Sequence, residues 1–187
     1  MKFQPHQLYH VYNRGNDQKP IFYEQENYFF FLKKMRRQLC PFADIFAYCL
    51  MPNHFHWLLF AHEYSPAKSV THPLNNRIGT LLSSYAKAIN KRYDRTGSLF
   101  QQKTKAVQID SQTYGLTCFH YIHQNPVCAG LVQNMGEWPY SSYPDYCSNR
   151  SGKLVTKHFA LEMLGLSEET ILEYSKKSID PQKIKLY

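Results

Sequence analysis

Two histidines, His54 and His56, stand one residue apart in a run of apolar residues that is typical of a buried β-strand. Alternate residues of a strand share a face and lie roughly 7 Å apart, so both imidazoles are predicted to point the same way. Imidazole is the commonest metal ligand, and Phe55 and Trp57 would pack on the opposite face. Since the chain has nine histidines, a chance pairing stays open beside the metal-site interpretation.

A second candidate group lies on residues 112–124, whose apolar spacing predicts an α-helix. Tyr121 and Asn125 are four residues apart and therefore neighbours on one helix face, although Pro126 leaves the geometry at Asn125 open. They would present a phenol and an amide together to a metal site on the sheet. With fifteen tyrosines in the chain, a core or surface position is the alternative for any one of them. The predicted core stripe of this helix consists of Leu116, Phe119 and Ile122.

Apolar periodicity and turn residues predict the elements that must position these groups. Their order, β-α-β-β-α-β-α, predicts an α+β fold with a mostly antiparallel sheet and packed helices, related to the ferredoxin-like split βαβ arrangement. After residue 129 the pattern is less regular, and the tail 176–187 is expected to be loosely ordered. The predicted elements are a strand at 8–12, a helix at 24–39, strands at 45–51 and 54–60 joined by a tight turn, a polar loop at 62–72, a helix at 73–93, a strand at 103–109, a helix at 112–124 ended by Pro126, and short helices near 159–164 and 168–175.

Composition narrows the functional classes. A net charge of +8 and a pI of about 9.2 predict attraction to polyanions, nucleic acid first among them. The five cysteines are an odd number without C-x-x-C spacing, so reduced thiols are favoured over disulfides or a cysteine zinc site. No signal-peptide pattern and no run near the roughly 20 apolar residues of a membrane helix is present. A cytoplasmic protein without membrane association is therefore expected.

Four short blocks occur in a fixed order: YHVYNRGN at 9–16, LMPNHFH at 50–56, GSLFQ at 97–101 and YIHQNPV at 121–127. Together they resemble the REP-associated tyrosine transposases, relatives of the single-strand insertion-sequence transposases within the HUH endonucleases. Four ordered blocks are far more specific than the histidine pair alone. The resemblance implies an HUH-type α+β fold, with a catalytic domain at 1–147 and a partly helical extension at 148–187 packed on it.

The resemblance also implies a role for each candidate group. His54 and His56 match the pair that binds a divalent cation, Mg²⁺ or Mn²⁺. Tyr121 matches the nucleophilic tyrosine, and Asn125 falls where relatives place a third metal ligand. In the implied reaction Tyr121 attacks a phosphodiester of single-stranded DNA, giving a 5′-phosphotyrosine intermediate and a free 3′-OH, and strand joining reverses this step. An ordinary tyrosine has a pKa of about 10, so the cation, a water or a neighbour such as His123 must assist, although a structural role is favoured for His123.

Substrate binding needs cationic and polar groups near that site. Individually each candidate is more typical of a solvated surface charge, but their clustering around Gly97 favours phosphate contacts. The resemblance implies a palindromic DNA hairpin with a short single-stranded flank as partner, and association with the nucleoid when bound. Aromatic residues at 138–146 would stack on unpaired bases or pack against the sheet. The candidate DNA contacts are Arg14, Asn16, Lys87, Lys91, Arg92, Arg95, Lys103 and Lys105.

Two other functions are compatible with the same residues. A zinc hydrolase would use His54, His56 and a third histidine such as His62, together with a general base. A domesticated, non-catalytic nucleic-acid-binding protein would keep the fold alone, although Tyr121 beside both histidines argues against it. Relatives include dimers that exchange the tyrosine helix and monomers that act alone, and the long C-terminal part favours a monomer.

Overall fold

The computed structural model describes residues 2–64, 73–147 and 150–175, together with Ile179 and Ile184. The predicted order of strands and helices is confirmed up to α3, and the two predicted C-terminal helices are present as α5 and α6. Most of the predicted polar loop and most of the predicted loose tail lie outside the described residues. The strands are β1 (Leu8–Arg14), β2 (Ala43–Met51), β3 (His54–Ala61) and β4 (Lys105–Gln108), and the α-helices are α1 (Gln25–Gln38), α2 (Pro73–Arg92), α3 (Gln112–Cys128), α4 (Tyr143–Cys147), α5 (Lys157–Leu164) and α6 (Glu168–Ser175).

The four strands form one sheet in the order β2-β3-β1-β4, and every neighbouring pair is antiparallel. Because β3 lies between β1 and β2, this is the split βαβ arrangement, and the predicted fold class is confirmed. β1 extends two residues beyond its predicted end, so that Arg14 lies opposite His54 and Tyr12 lies opposite His56. Asn13 and Arg14, which follow the predicted strand, are therefore part of the sheet that carries the histidines.

The two faces of the sheet are covered by different helices. On one face, Val11, Phe55 and Trp57 pack with residues of α1 and α2 in a core rich in aromatic side chains. On the other face, Leu58 packs with Phe119 and other residues of α3. Since strand side chains alternate, His54 and His56 share the second face. The sheet and α3 therefore enclose the histidine pair.

Helix α3 does not end at Pro126, and the sequence-based prediction of its end is wrong. The helix continues to Cys128 with the proline inside it. Proline lacks the N–H that would bond to the Ile122 carbonyl oxygen, but the Asn125 side chain compensates. Its Nδ2 donates to the Tyr121 carbonyl oxygen at 2.8 Å and approaches the Ile122 carbonyl oxygen at 3.5 Å. The helix is thus extended by the same side chain that was predicted as a metal ligand.

The C-terminal part closes the outer side of α3. Ala160 and Leu164 of α5 and Ile171 of α6 belong to the same buried cluster as Phe119. The aromatic stretch that begins at Trp138 packs instead of standing free, because the Trp138 indole N–H donates to the Leu50 carbonyl oxygen at 3.0 Å. The described part of 150–175 therefore contributes to the core, while the domain division between 147 and 148 stays a prediction.

Candidate active site

A cleft of about 380 Å³ opens where β1, β3 and α3 meet. Both histidines of the pair and the tyrosine of α3 line it, so the sheet and the helix do bring these sequence-predicted groups together. Cationic side chains from β1, β4 and the segment before β4 complete the wall. The lining residues are Tyr12, Asn13, Arg14, His54, His56, Gln101, Lys103, Lys105 and Tyr121.

The hydrogen bonds of His54 determine where its proton lies. Asn53 Nδ2 donates to the Gln18 carbonyl oxygen at 3.2 Å, so Asn53 Oδ1 faces His54 Nδ1, at 2.6 Å. An amide oxygen can only accept, which places the proton of His54 on Nδ1. Burial lowers the pKa of His54, the facing Asn125 oxygen opposes this, and Arg14 lowers the pKa further. His54 is therefore neutral at pH 7, with a lone pair on Nε2.

Asn125 turns a second electron-rich atom toward that lone pair. Because its Nδ2 donates to the Tyr121 carbonyl oxygen, its Oδ1 faces His54 Nε2, at 3.5 Å. With the His54 proton on Nδ1, no hydrogen lies between the two atoms, and two acceptors face each other. This is the arrangement expected of two ligands of one cation. The donor set of His54 and Asn125 therefore fits the divalent cation that the resemblance implies.

His56 is almost fully buried, with 4% of its surface exposed. Its Nδ1 lies 2.9 Å from Nε2 of His10, a residue at the centre of β1, and the two rings are stacked with centroids 5.1 Å apart. Burial, followed by the neighbouring His10 and His54, holds the pKa of His56 well below its ordinary value. Burial also lowers the pKa of His10 to about 3. Both rings are thus neutral.

Tyr121 meets the histidines edge-on. Its ring centroid lies 5.5 Å from that of His56 and 6.2 Å from that of His10, with interplanar angles of 83° and 77°. It is half-buried at the wall of the cleft, one helical turn before Asn125. The helix therefore presents the phenol to the cleft and the amide oxygen of Asn125 to His54, although Asn125 is not among the residues that line the cleft.

The eight predicted DNA contacts divide into two sets. Arg14, Lys103 and Lys105 line the cleft and place positive charge around it, whereas the other five do not line it. Among those five, Arg92 forms an ion pair with Glu24 at 2.5 Å. The DNA contacts of all eight residues stay predictions. The five outside the cleft are Asn16, Lys87, Lys91, Arg92 and Arg95.

Two other histidines considered from the sequence lie away from the cleft. His62, the third ligand of the hydrolase alternative, follows the far end of β3 and pairs with Asp44 at 3.0 Å. It stands six positions after His56 along an extended chain, a distance of about 20 Å. Within the part of the chain that the structure describes, no three His, Cys, Asp or Glu side chains form a metal-binding group. His123 is buried and bonds through Nε2 to the Ser142 hydroxyl at 2.7 Å, as its favoured structural role requires.

Sequence reasoning missed two residues that contact the histidine pair. The sequence places Asn53 only in the tight turn between the two strands, yet its side chain fixes the proton of His54. In the sequence His10 is one residue of the first block, yet in the structure it bonds to His56. The alternation of β1 places His10 and Tyr12 on one face, but only the pairing of β1 with β3 shows that this is the face of His56. A sheet order derived from the predicted fold class would have indicated that β1 pairs with β3 and that His10 shares the face of His56.

Comparisons with known proteins support the fold. The sequence matches no protein-family model and no curated protein. Among solved structures, that of a REP-associated tyrosine transposase bound to a REP hairpin is similar, with a TM-score of 0.60 and 17% sequence identity over 76% of this chain and 79% of that one. In the described residues no helix is both long and apolar enough to cross a membrane. The chain therefore shares its fold with a REP-associated tyrosine transposase.

Proposed function

We propose that the protein is a metal-dependent transposase that cleaves and rejoins single-stranded DNA beside palindromic hairpins, with Tyr121 as nucleophile. The observation that carries the proposal is the meeting of His54 Nε2 and Asn125 Oδ1 at 3.5 Å, one helical turn from a tyrosine whose ring lies 5.5 Å from that of His56. The solved structure of similar fold, a transposase bound to a DNA hairpin, supports the choice of substrate.

In the proposed reaction the Tyr121 oxygen attacks the scissile phosphorus as the phenol loses its proton. A Tyr121–phosphorus bond forms, the bond from phosphorus to the 3′ oxygen breaks, and that oxygen leaves as a 3′-OH after taking up a proton. When bound by His54, His56 and Asn125, a divalent cation supplies Lewis acidity to the phosphate. Rejoining reverses these steps with another 3′-OH.

The remaining residues of the cleft hold the strand. Arg14, Lys103 and Lys105 would bind phosphates on either side of the scissile one and contribute to affinity without reading sequence. Since the ligand set contains two imidazoles and no carboxylate from the described lining residues, Mn²⁺ is expected to bind more tightly than Mg²⁺. The same charges predict a steep loss of DNA binding as salt concentration rises.

The test is formation of a covalent adduct. The protein is incubated with end-labelled single-stranded hairpin DNA and Mn²⁺ or Mg²⁺, and the products are separated under denaturing conditions. We expect a labelled protein band that disappears in Tyr121→Phe and in the His54→Ala/His56→Ala double variant. Tyr114→Phe, a matched change on the same helix, should retain the band.

Each other outcome has a definite meaning. Cleavage that survives Tyr121→Phe would contradict the covalent route. Hairpin binding without any cleavage would support the domesticated binding protein instead. Turnover of a small ester or phosphate with zinc, unaffected by Tyr121→Phe, would support the hydrolase.

A further inference from the structure

The hydrogen bond between His10 and His56 has two possible directions. Each neutral imidazole has one N–H donor and one acceptor nitrogen. If His56 Nδ1 donates to His10 Nε2, a lone pair remains on His56 Nε2. If His10 Nε2 donates instead, the proton of His56 lies on Nε2, and that nitrogen cannot bind a metal.

We propose that His10 is a positioning residue that accepts the Nδ1 proton of His56 and so keeps His56 Nε2 available as a ligand. This role rests on the metal site of the proposed function. It completes a pattern that His54 already shows, because His54 Nδ1 donates to the Asn53 oxygen, at 2.6 Å. Outer partners of this kind fix the ring orientation and tautomer of metal-binding histidines. At His56 the acceptor is an imidazole on a neighbouring strand instead of an amide oxygen.

The burial of His10 supports a role beyond packing. Its side chain has no exposed surface, and within the described residues its Nδ1 has no hydrogen-bond partner. An unpaired polar atom in the interior costs stability, whereas a phenylalanine of similar shape would fill the same space. Among the described residues, the hydrogen bond that His10 makes through its side chain is the one to His56, at 2.9 Å. That contact is the feature that a hydrocarbon side chain cannot supply.

The test measures Mn²⁺ binding by electron paramagnetic resonance in the absence of DNA. His10→Phe keeps the ring and its burial but removes the acceptor, and we expect it to weaken Mn²⁺ binding about 10- to 100-fold. His10→Gln can place an amide oxygen near the position of Nε2 and is expected to restore most of the affinity. His120→Phe is the matched control. His120 is also a buried histidine, one of its nitrogens has no hydrogen-bond partner within the part of the chain that the structure describes, and its ring stacks on Tyr174, outside the cleft.

Two results would overturn the proposal: Mn²⁺ affinity in His10→Phe equal to that of the wild type, or an equal loss in His10→Gln and His10→Phe. Melting temperatures identify any variant that does not fold. In that case, nitrogen-15 spectra of the wild-type protein with Mg²⁺ decide the question. We expect His56 to be protonated on Nδ1, and protonation on Nε2 would refute the role.

Failure of the transposase proposal is a separate outcome. Binding of Mn²⁺ requires neither DNA nor Tyr121, so absence of a covalent adduct would leave the His10 result intact. Absence of Mn²⁺ binding by the wild type would instead overturn the metal site and the role of His10 together.

Discussion

Besides the partly exposed His54, four buried histidines are kept uncharged by their burial. Burial lowers the pKa of His10 to about 3 and that of His120 to about 4. It also holds the pKa values of His56 and His123 well below the ordinary value, with smaller contributions from neighbouring charges. In the unfolded chain each would take up a proton near pH 6.5. The folded form resists this, so protonation is linked to unfolding.

The free energy of unfolding is therefore expected to decrease as the pH is lowered. Below about pH 6.5 the unfolded state binds more protons than the folded state, and each such histidine removes up to about 1.4 kcal/mol per pH unit. For His120 the loss continues down to about 4, where the folded form also takes up the proton. Urea unfolding between about pH 7.5 and about pH 5 measures the slope, and His123→Gln should make it shallower. A stability that stays constant over this range would contradict the expectation.

At the residue scale, the sequence was enough to predict which side chains lie together when the residues are close in the chain. His54 and His56 alternate on one strand, and Tyr121 and Asn125 are one helical turn apart, so each pair is local. His10 is not local, since 46 positions separate it from its partner. The same limit applies to the lysines and arginines, because only the folded structure shows that Arg14, and not Arg92, lines the cleft. Charge alone does not determine which surface a residue joins.

At the element scale, α3 shows how a side chain can override a helix-stop signal. Pro126 is normally a reason to end a helix, and Asn125 has the opposite effect by donating to carbonyl oxygens of the preceding turn. The apolar periodicity of the sequence also identified only part of the buried surface of α3. Phe119 and Ile122 of the predicted core stripe are buried, whereas Leu116 is only partly buried. Cys118, His120 and Gln124 are buried as well, because α5 and α6 cover the outer side of the helix. Sequence patterns within α3 do not reveal a covering supplied by residues farther along the chain.

The contribution of Asn125 to α3 should depend on Pro126. We expect Asn125→Ala to lower the free energy of unfolding by about 1 kcal/mol, and by less in a Pro126→Ala background. Alanine at 126 restores the backbone N–H for the Ile122 carbonyl oxygen and makes the side-chain bond redundant. A double-mutant cycle in urea measures the coupling. Equal losses in both backgrounds would show that the side chain does not compensate for the proline.

The same substitution in two helices should have opposite effects. In α3 a methyl group at Gly115 would lie 2.9 Å from Leu164 of α5, so Gly115→Ala should cost about 1–3 kcal/mol. In α2 a methyl group at Gly79 meets nothing within 4 Å among the described residues. Gly79→Ala should therefore stabilise by about 0.5–1 kcal/mol. Thermal melting of both variants tests this, and a stable Gly115→Ala would indicate that α5 is not packed closely on α3.

At the scale of the whole molecule, Arg150 links the C-terminal part to the rest of the fold. It forms a two-pronged ion pair with Asp145, at 2.7 and 2.8 Å, and also donates to the carbonyl oxygens of Pro139 and Ser141. Asp145 is only 5% exposed. Because Arg150 is partly exposed, water reaches one side of the pair. The buried carboxylate of Asp145 nevertheless depends on the Arg150 guanidinium for charge compensation.

Substitution of Arg150 is therefore expected to lower the free energy of unfolding substantially, although the residue lies in the last quarter of the chain. Arg150→Met leaves a buried carboxylate unpaired, with an expected loss of about 3 kcal/mol. The Asp145→Asn/Arg150→Met double variant, which removes both charges, should recover part of this loss. Urea unfolding of the three proteins measures the difference. A double variant no more stable than Arg150→Met would assign the effect to the backbone carbonyl contacts.

The long separation between the parts of the cleft has a consequence for the order of folding. His54 and Asn125 are 71 positions apart, and contacts between distant residues form after a large loss of chain entropy. A chain with only the β2–β3 hairpin formed holds His54 and His56 without Tyr121, and α3 alone holds Tyr121 and Asn125 without the histidines. The cleft is complete only once the sheet and α3 have packed together, so the strand cleavage proposed above would be confined to fully folded chains.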